Sequence, residues 1–119
     1  MLNLDTHILI DALQGSLSKR ERKLLSEQPW SISAIVLWEL AKLVQRNRVE
    51  LDLESVTFAR ALSRIRIWPL DPAVALQSTH LDFKSDPADE LIAATSMVHR
   101  VPLLTRDKRI LKSKLVPLA

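Results

Sequence analysis

The chain has 119 residues, 47% of them hydrophobic and 26% charged, which suits one packed core and leaves no room for two, so a single domain over residues 1–119 is expected. The absence of cysteine excludes disulfides, thiolate metal sites and a cysteine nucleophile and fits a reducing cytoplasm, while a lone glycine, Gly15, argues against phosphate-cradling glycine loops. The formal charge of +3 and a pI near 9.6 lean towards a polyanionic partner, and no apolar run approaches the ~20 residues of a membrane span.

In chain order, short apolar strands alternate with helical patterns. Leu2-Asn3-Leu4 reads as a strand ending at Asp5, and Thr6 to Leu13 as a helix with Ile8, Leu9 and Leu13 apolar. Ser18-Lys19-Arg20-Glu21 is a capping box that opens a basic helix through Glu27. Pro29 to Ile32 is a second strand. Ser33 to Arg46 is helical, with Val36, Leu40, Leu43 and Val44 as its core stripe and Glu39 at the stripe's edge. Arg48 to Leu51 connects to a helix that starts at Asp52 or Ser55 and reaches about Ile65. Ile67 to Leu70 is a third strand whose proline suits an edge. Asp71-Pro72 caps a helix through His80, and Asp86-Pro87 caps another through His99. Val101 to Leu104 is a fourth strand, followed by a short helix from Asp107 to Lys112 and a terminal strand at Leu115 to Val116.

Strands separated by helices imply parallel pairing, hence a three-layer α/β/α sandwich around a mostly parallel sheet of four to five strands. In such a sheet the carboxyl ends of the strands carry the site. Asp5, Asp89 and Asp107 fall at strand ends or in first helical turns there, and Glu39 lies further along its own helix. Four carboxylates gathered at one edge repel one another and call for a cation. Oxygen-only ligation suits Mg²⁺ or Mn²⁺, and the chemistry it supports is phosphodiester hydrolysis.

Four segments, taken together, resemble the PIN domain: Leu4-Asp5-Thr6-His7, Ser31-Ile32-Ser33 with Trp38-Glu39-Leu40-Ala41, Asp86-Pro87-Ala88-Asp89 before Leu91-Ile92-Ala93-Ala94, and Leu104-Thr105-Arg106-Asp107. Within that family the likeness is to the short VapC-type toxins of bacterial toxin-antitoxin modules, and it covers nearly the whole chain. The resemblance implies a metal-dependent ribonuclease acting on RNA, silenced by a cognate antitoxin protein. It places Asp5, Glu39, Asp89 and Asp107 as catalytic and metal-binding acids, with Thr6 and Thr105 as polar neighbours. A homodimer is expected as well. Glu90 departs from the pattern, standing where these toxins often carry arginine.

Each residue also has a structural alternative. Asp5, Asp89 and Asp107 suit helix caps or first turns, and Glu39 could pair with Lys42 one turn away. Asp86 is assigned to capping, with Pro87 explaining its position. His7, His80 and His99 show no metal-ligand spacing, which argues against zinc. Trp30, Trp38 and Trp68 read as core or partner-facing residues. The basic run Arg106, Lys108, Arg109, Lys112 and Lys114 begins beside Asp107, so Arg106, Lys108 and Arg109 are candidate contacts to RNA phosphates. Two other classes share the acid pattern: a catalytically dead PIN scaffold, and a Mg²⁺-binding phospho-acceptor signalling domain. The latter is disfavoured because only one acid follows the first strand.

Overall fold

A computed structural model describes residues 1–119 and contains, in order, β1 (Leu2–Leu4), α1 (Thr6–Gln14), α2 (Lys19–Glu27), β2 (Trp30–Ser33), α3 (Ala34–Gln45), α4 (Val56–Ser63), β3 (Arg66–Trp68), α5 (Pro72–Gln77), α6 (Pro87–His99), β4 (Leu103–Leu104) and α7 (Lys108–Leu111). The sheet order is β3-β2-β1-β4, and every neighbouring pair is parallel. All of β1 and all of β2 except Trp30 are buried, as strands covered on both faces must be. The expected α/β/α sandwich is therefore present, with four strands in its sheet.

Local chemistry sets the element ends. The Ser18–Glu21 capping box forms in both directions, at 3.1 and 2.9 Å. Gly15, at φ 77°, ends α1 in the left-handed conformation that lets its N–H reach the Asp11 carbonyl, a geometry glycine adopts without strain. Asp71 caps α5 by accepting from Val74 N–H at 2.9 Å.

Most boundaries shift by a residue or two, and four elements differ from the sequence expectation for a physical reason. β3 begins at Arg66 and stops at Trp68, because Pro69 has no N–H to continue the ladder; it does lie at the sheet edge. β4 is confined to Leu103 and Leu104, with Pro102 contributing only its carbonyl, which accepts from Asn3 N–H at 2.8 Å. α5 ends at Gln77, after which the Ser78 and Thr79 hydroxyls bond back to the Ala75 and Leu76 carbonyls at 2.7 Å. The terminal strand at Leu115 and Val116 does not form. Both of those N–H groups donate to Ser113 Oγ at 3.1 Å, and the chain meets the sheet only at a bridge between Leu118 and Leu103.

One cluster of 16 buried apolar residues fills the interior, including Leu2, Leu4, Ile8, Leu9, Ile32, Val36, Leu40, Ile92 and Ile110. Burial of each such side chain stabilises the fold by about 1.5–3 kcal/mol before entropy is counted. One polar strut crosses it. Asn3, fully buried in β1, donates to Ser96 Oγ at 2.9 Å and to the Ile92 carbonyl at 3.4 Å, fixing α6 over the sheet. Ala93 and Ala94, buried and small, let α6 lie close. That strut fixes the height of Asp89, on α6, relative to Asp5, at the end of β1.

Candidate metal centre

Asp5 follows β1 directly and is 9% exposed. Its Oδ1 accepts from Thr6 N–H at 2.8 Å, so it does cap α1, and its Oδ2 accepts from the Thr105 hydroxyl at 2.6 Å. One donor per oxygen fixes the carboxylate plane and leaves lone pairs on both oxygens free. Glu39 reaches in from the second turn of α3 and accepts from the Thr6 hydroxyl rather than pairing with Lys42, whose ammonium lies over the Trp38 ring. Asp89 stands in the first turn of α6, where Ser85 Oγ donates to its Oδ2 at 2.9 Å. One oxygen from each of Asp5, Glu39 and Asp89 lies within 4.8 Å of the other two.

Asp107 lines the same cavity of about 400 Å³ but stands outside that triad. Its Oδ1 accepts from Arg109 and Ile110 N–H groups at 2.8 and 3.2 Å, so it is the cap of α7 and a rim carboxylate together.

Asp86, which the sequence assigns to capping, takes the position but not the role. It occupies the N-cap position of α6 but its side chain makes no cap hydrogen bond; it lines the acidic cavity instead. Pro87 does not account for this, since Asp71 caps α5 ahead of Pro72 in the same arrangement; the difference is that the Asp86 side chain faces the other acids. Ser85, a direct partner of Asp89, left no signal beyond being polar next to the motif. Glu90 turns away from the cavity, and its Oε2 accepts from Ser85 N–H at 3.3 Å, tightening the entry to α6.

The crowding of acids has electrostatic consequences. Burial, above all, pushes the Glu39 carboxyl above its usual range; the Thr6 hydrogen bond opposes this, and Asp89 and Asp5 add to it. Burial likewise raises Asp89, with Ser85 opposing and Asp5, Asp107 and Asp86 reinforcing. Protonation or a bound cation relieves both. The donor set fits a hard divalent ion: carboxylate oxygens alone, converging, partly desolvated and held by second-layer hydroxyls.

Arg106 does not stand free as a phosphate contact. Its guanidinium forks onto Glu21, with Nε and Nη2 donating at 2.8 and 2.7 Å, and its Nη1 pairs with Asp11. The fork ties α2 and α1 to the segment carrying Thr105 and Asp107, and it holds the buried Glu21 carboxyl down at about 2. Lys108 and Arg109 remain exposed on α7. The histidines are dispersed: His7 lines the cavity, His80 bonds locally, and His99 stacks on Trp68 at 4.0 Å. Trp68 is buried, Trp30 donates to the Leu25 carbonyl at 2.8 Å, and Trp38 is 55% exposed beside Glu39.

Residues 3–114 match the family model of the PIN domain. The chain belongs to the PIN-domain family. Ribonuclease VapC22 of Mycobacterium tuberculosis is 34% identical to this PIN domain over 83 residues, which are 67% of this chain and 64% of that protein. Among solved structures, a toxin-antitoxin complex from Klebsiella pneumoniae superposes with a TM-score of 0.72 at 25% identity, covering 94% of this chain and 91% of that one. VapBC2 from Rickettsia felis, bound to a DNA fragment from its promoter, gives a TM-score of 0.71 at 20% identity and covers 100% and 98%, a likeness of fold. FitAcB from Neisseria gonorrhoeae gives 0.61 at 26%, covering 92% and 90%. No helix of this PIN domain is long and apolar enough to cross a membrane.

Proposed function

We propose that this PIN domain is a Mg²⁺- or Mn²⁺-dependent endoribonuclease acting as the toxin of a toxin-antitoxin pair. The observation that carries the reading is the convergence of Asp5, Glu39 and Asp89 oxygens within 4.8 Å in a chain similar to Ribonuclease VapC22. Asp5, Glu39 and Asp89 would hold the ion, with Asp107 at the rim. When bound, a divalent ion supplies positive charge that lowers the pKa of an attacking water and stabilises the phosphodiester transition state.

The chain's own residues prepare that site. Thr6 N–H and the Thr105 hydroxyl hold Asp5 in one rotamer, the Thr6 hydroxyl orients Glu39, and Ser85 orients Asp89. Preset ligands need no reorganisation when substrate arrives. Lys108 and Arg109, exposed in the first turn of α7 directly after Asp107, would meet RNA phosphates.

An antitoxin protein fits the same surface. Trp38 offers an exposed apolar contact beside the acids, and a basic side chain following it would compete with the cation for the carboxylates. A homodimer in the cytoplasm completes the proposed assembly. Cleavage of RNA by purified protein with Mg²⁺ or Mn²⁺, abolished by EDTA and by Asp5→Asn, is the expected result. Metal-independent cleavage, or an active Asp5→Asn, would overturn the reading.

A further inference from the structure

The acidic cavity opens sideways into a second one. A groove of about 600 Å³ shares His7 and Arg106 with it and extends along α1, whose His7, Ile10, Asp11 and Gln14 recur at helical spacing on one face. Leu43 of α3 and the connector residues Arg48, Val49 and Glu50 form the facing wall.

The chemistry of this groove is mixed in a particular way. Ile10, Leu43 and Val49 give it an apolar floor. Asp11 and Arg106 neutralise each other. Both ion pairs of the protein belong to Arg106, so the guanidinium of Arg48 is unpaired. Gln14 donates its amide N–H to the Glu50 carbonyl at 3.2 Å, which leaves the Gln14 carbonyl and the exposed Glu50 carboxylate as acceptors. A cation, an apolar face and paired acceptors, in that company, match the three parts of a nucleotide: phosphate, ring and a donor-bearing base edge. Lys108 and Arg109 flank the acidic cavity on the Asp107 side, but towards α1 it offers phosphate only the acids, Thr6, His7 and an Arg106 already paired, so a strand leaving on that side meets its unpaired cation at Arg48.

We propose that this groove seats the RNA nucleotide adjoining the scissile phosphodiester, with Arg48 on its phosphate and Glu50 accepting from the N1–H and N2–H groups of a guanine. The assignment rests on the ribonuclease reading above. It makes the α1 face and the Arg48–Glu50 connector the source of cleavage preference, separate from the acids.

The test uses purified full-length protein with Mn²⁺ and single-stranded uridine-rich RNA oligonucleotides, each carrying one guanine at a different position. Wild type is expected to cut beside the guanine. Glu50→Gln should lose about tenfold of that preference, because a carboxylate accepting two N–H groups discriminates by roughly that much. Arg48→Met should raise KM at unchanged kcat and lower the salt slope of binding by about one. Both residues are exposed on a connector, so both variants keep the fold. Wild-type cleavage indifferent to guanine, or both variants keeping the wild-type cut pattern and salt slope, overturns the subsite and leaves the nuclease intact. No cleavage of any oligonucleotide by wild type overturns the nuclease reading and the subsite with it.

Discussion

The Thr105 hydroxyl donates to Asp5 Oδ2 at 2.6 Å, joining residues 100 positions apart in the chain. The bond spans the junction of β1 and β4, and the same hydroxyl oxygen accepts from Asp107 N–H at 3.0 Å. One side chain thus sets the plane of a central acid and the start of the turn that carries the rim acid. Thr105→Val keeps the volume and removes both interactions. The expected outcome is a loss of 10- to 100-fold in Mn²⁺ affinity and in RNA cleavage, typical for a partner that orients a ligand. Calorimetric titration with Mn²⁺ beside a circular dichroism melt separates this from unfolding.

The raised carboxyls of Glu39 and Asp89 give the metal-free protein a defined pH response. A carboxyl whose folded value lies above its unfolded value favours the folded state once protonated. Stability therefore rises as pH falls through the folded values towards 4.5 and 3.8, the ordinary values of these groups, and then levels off. Melting temperature without metal should climb on going from neutral to mildly acidic pH. Saturating Mg²⁺ should flatten that climb, and Asp89→Asn should reduce it while raising the neutral-pH melting point. A melting curve that does not change with pH in EDTA would rule this out.

Glu21 works in the opposite direction. Arg106 holds its carboxyl at about 2 against an ordinary 4.5, so this ion pair's stabilisation is present above 4.5 and lost as pH falls from there towards 2. Arg106→Met leaves a buried carboxylate with only its Ser18 backbone donor. The expected cost is about 1–3 kcal/mol, kept moderate because the Arg106 side chain is 44% exposed and solvent screens the pair. Urea denaturation of Arg106→Met, Glu21→Gln and the double variant should show coupling between the two sites, disappearing at pH 2.

Asp86 and Asp71 offer a matched comparison. Both precede a proline at the start of a helix, yet only Asp71 makes the cap bond. Asp71→Ala should cost about 1 kcal/mol, whereas Asp86→Ala should cost a few tenths at most and instead change metal affinity. Equal losses of stability in the two variants would contradict the distinction.

The parallel sheet, the order of helices and the burial of Val36 and Leu40 follow from periodicity and caps, which act over a few residues. Asp5 and Asp89 could be singled out because the sandwich topology brings strand ends and first helical turns to one edge, and Glu39 because it is an acid at the edge of an apolar helical stripe that the PIN resemblance also marks. The Arg106 fork could not be read in the same way: its partners Glu21 and Asp11 are 85 and 95 residues away and each looks complete locally, one as a capping box and the other as a helix-surface acid. Asp86 is hidden for the same reason: the Asp-Pro pair satisfies a local capping rule, while its place among the distant acids leaves no local trace. β3 is cut short by one absent N–H and the terminal strand is lost to two diverted ones, which hydrophobic pattern does not register.

β4 pairs with β1, and through the Thr105 that follows it supplies the support of Asp5 from 100 residues further along the chain. A ribosome making this protein emits Asp5 first and Thr105 about a hundred residues later, after some five to twenty seconds at ordinary rates of synthesis. Until the last segment emerges, β1 has an open edge, Asp5 lacks its second donor, and Asp107 has not been made. Parallel pairing over such a separation is also slow to nucleate. The acidic centre is thus completed only when β4 closes on β1, so its final geometry waits on the meeting of two residues a hundred positions apart.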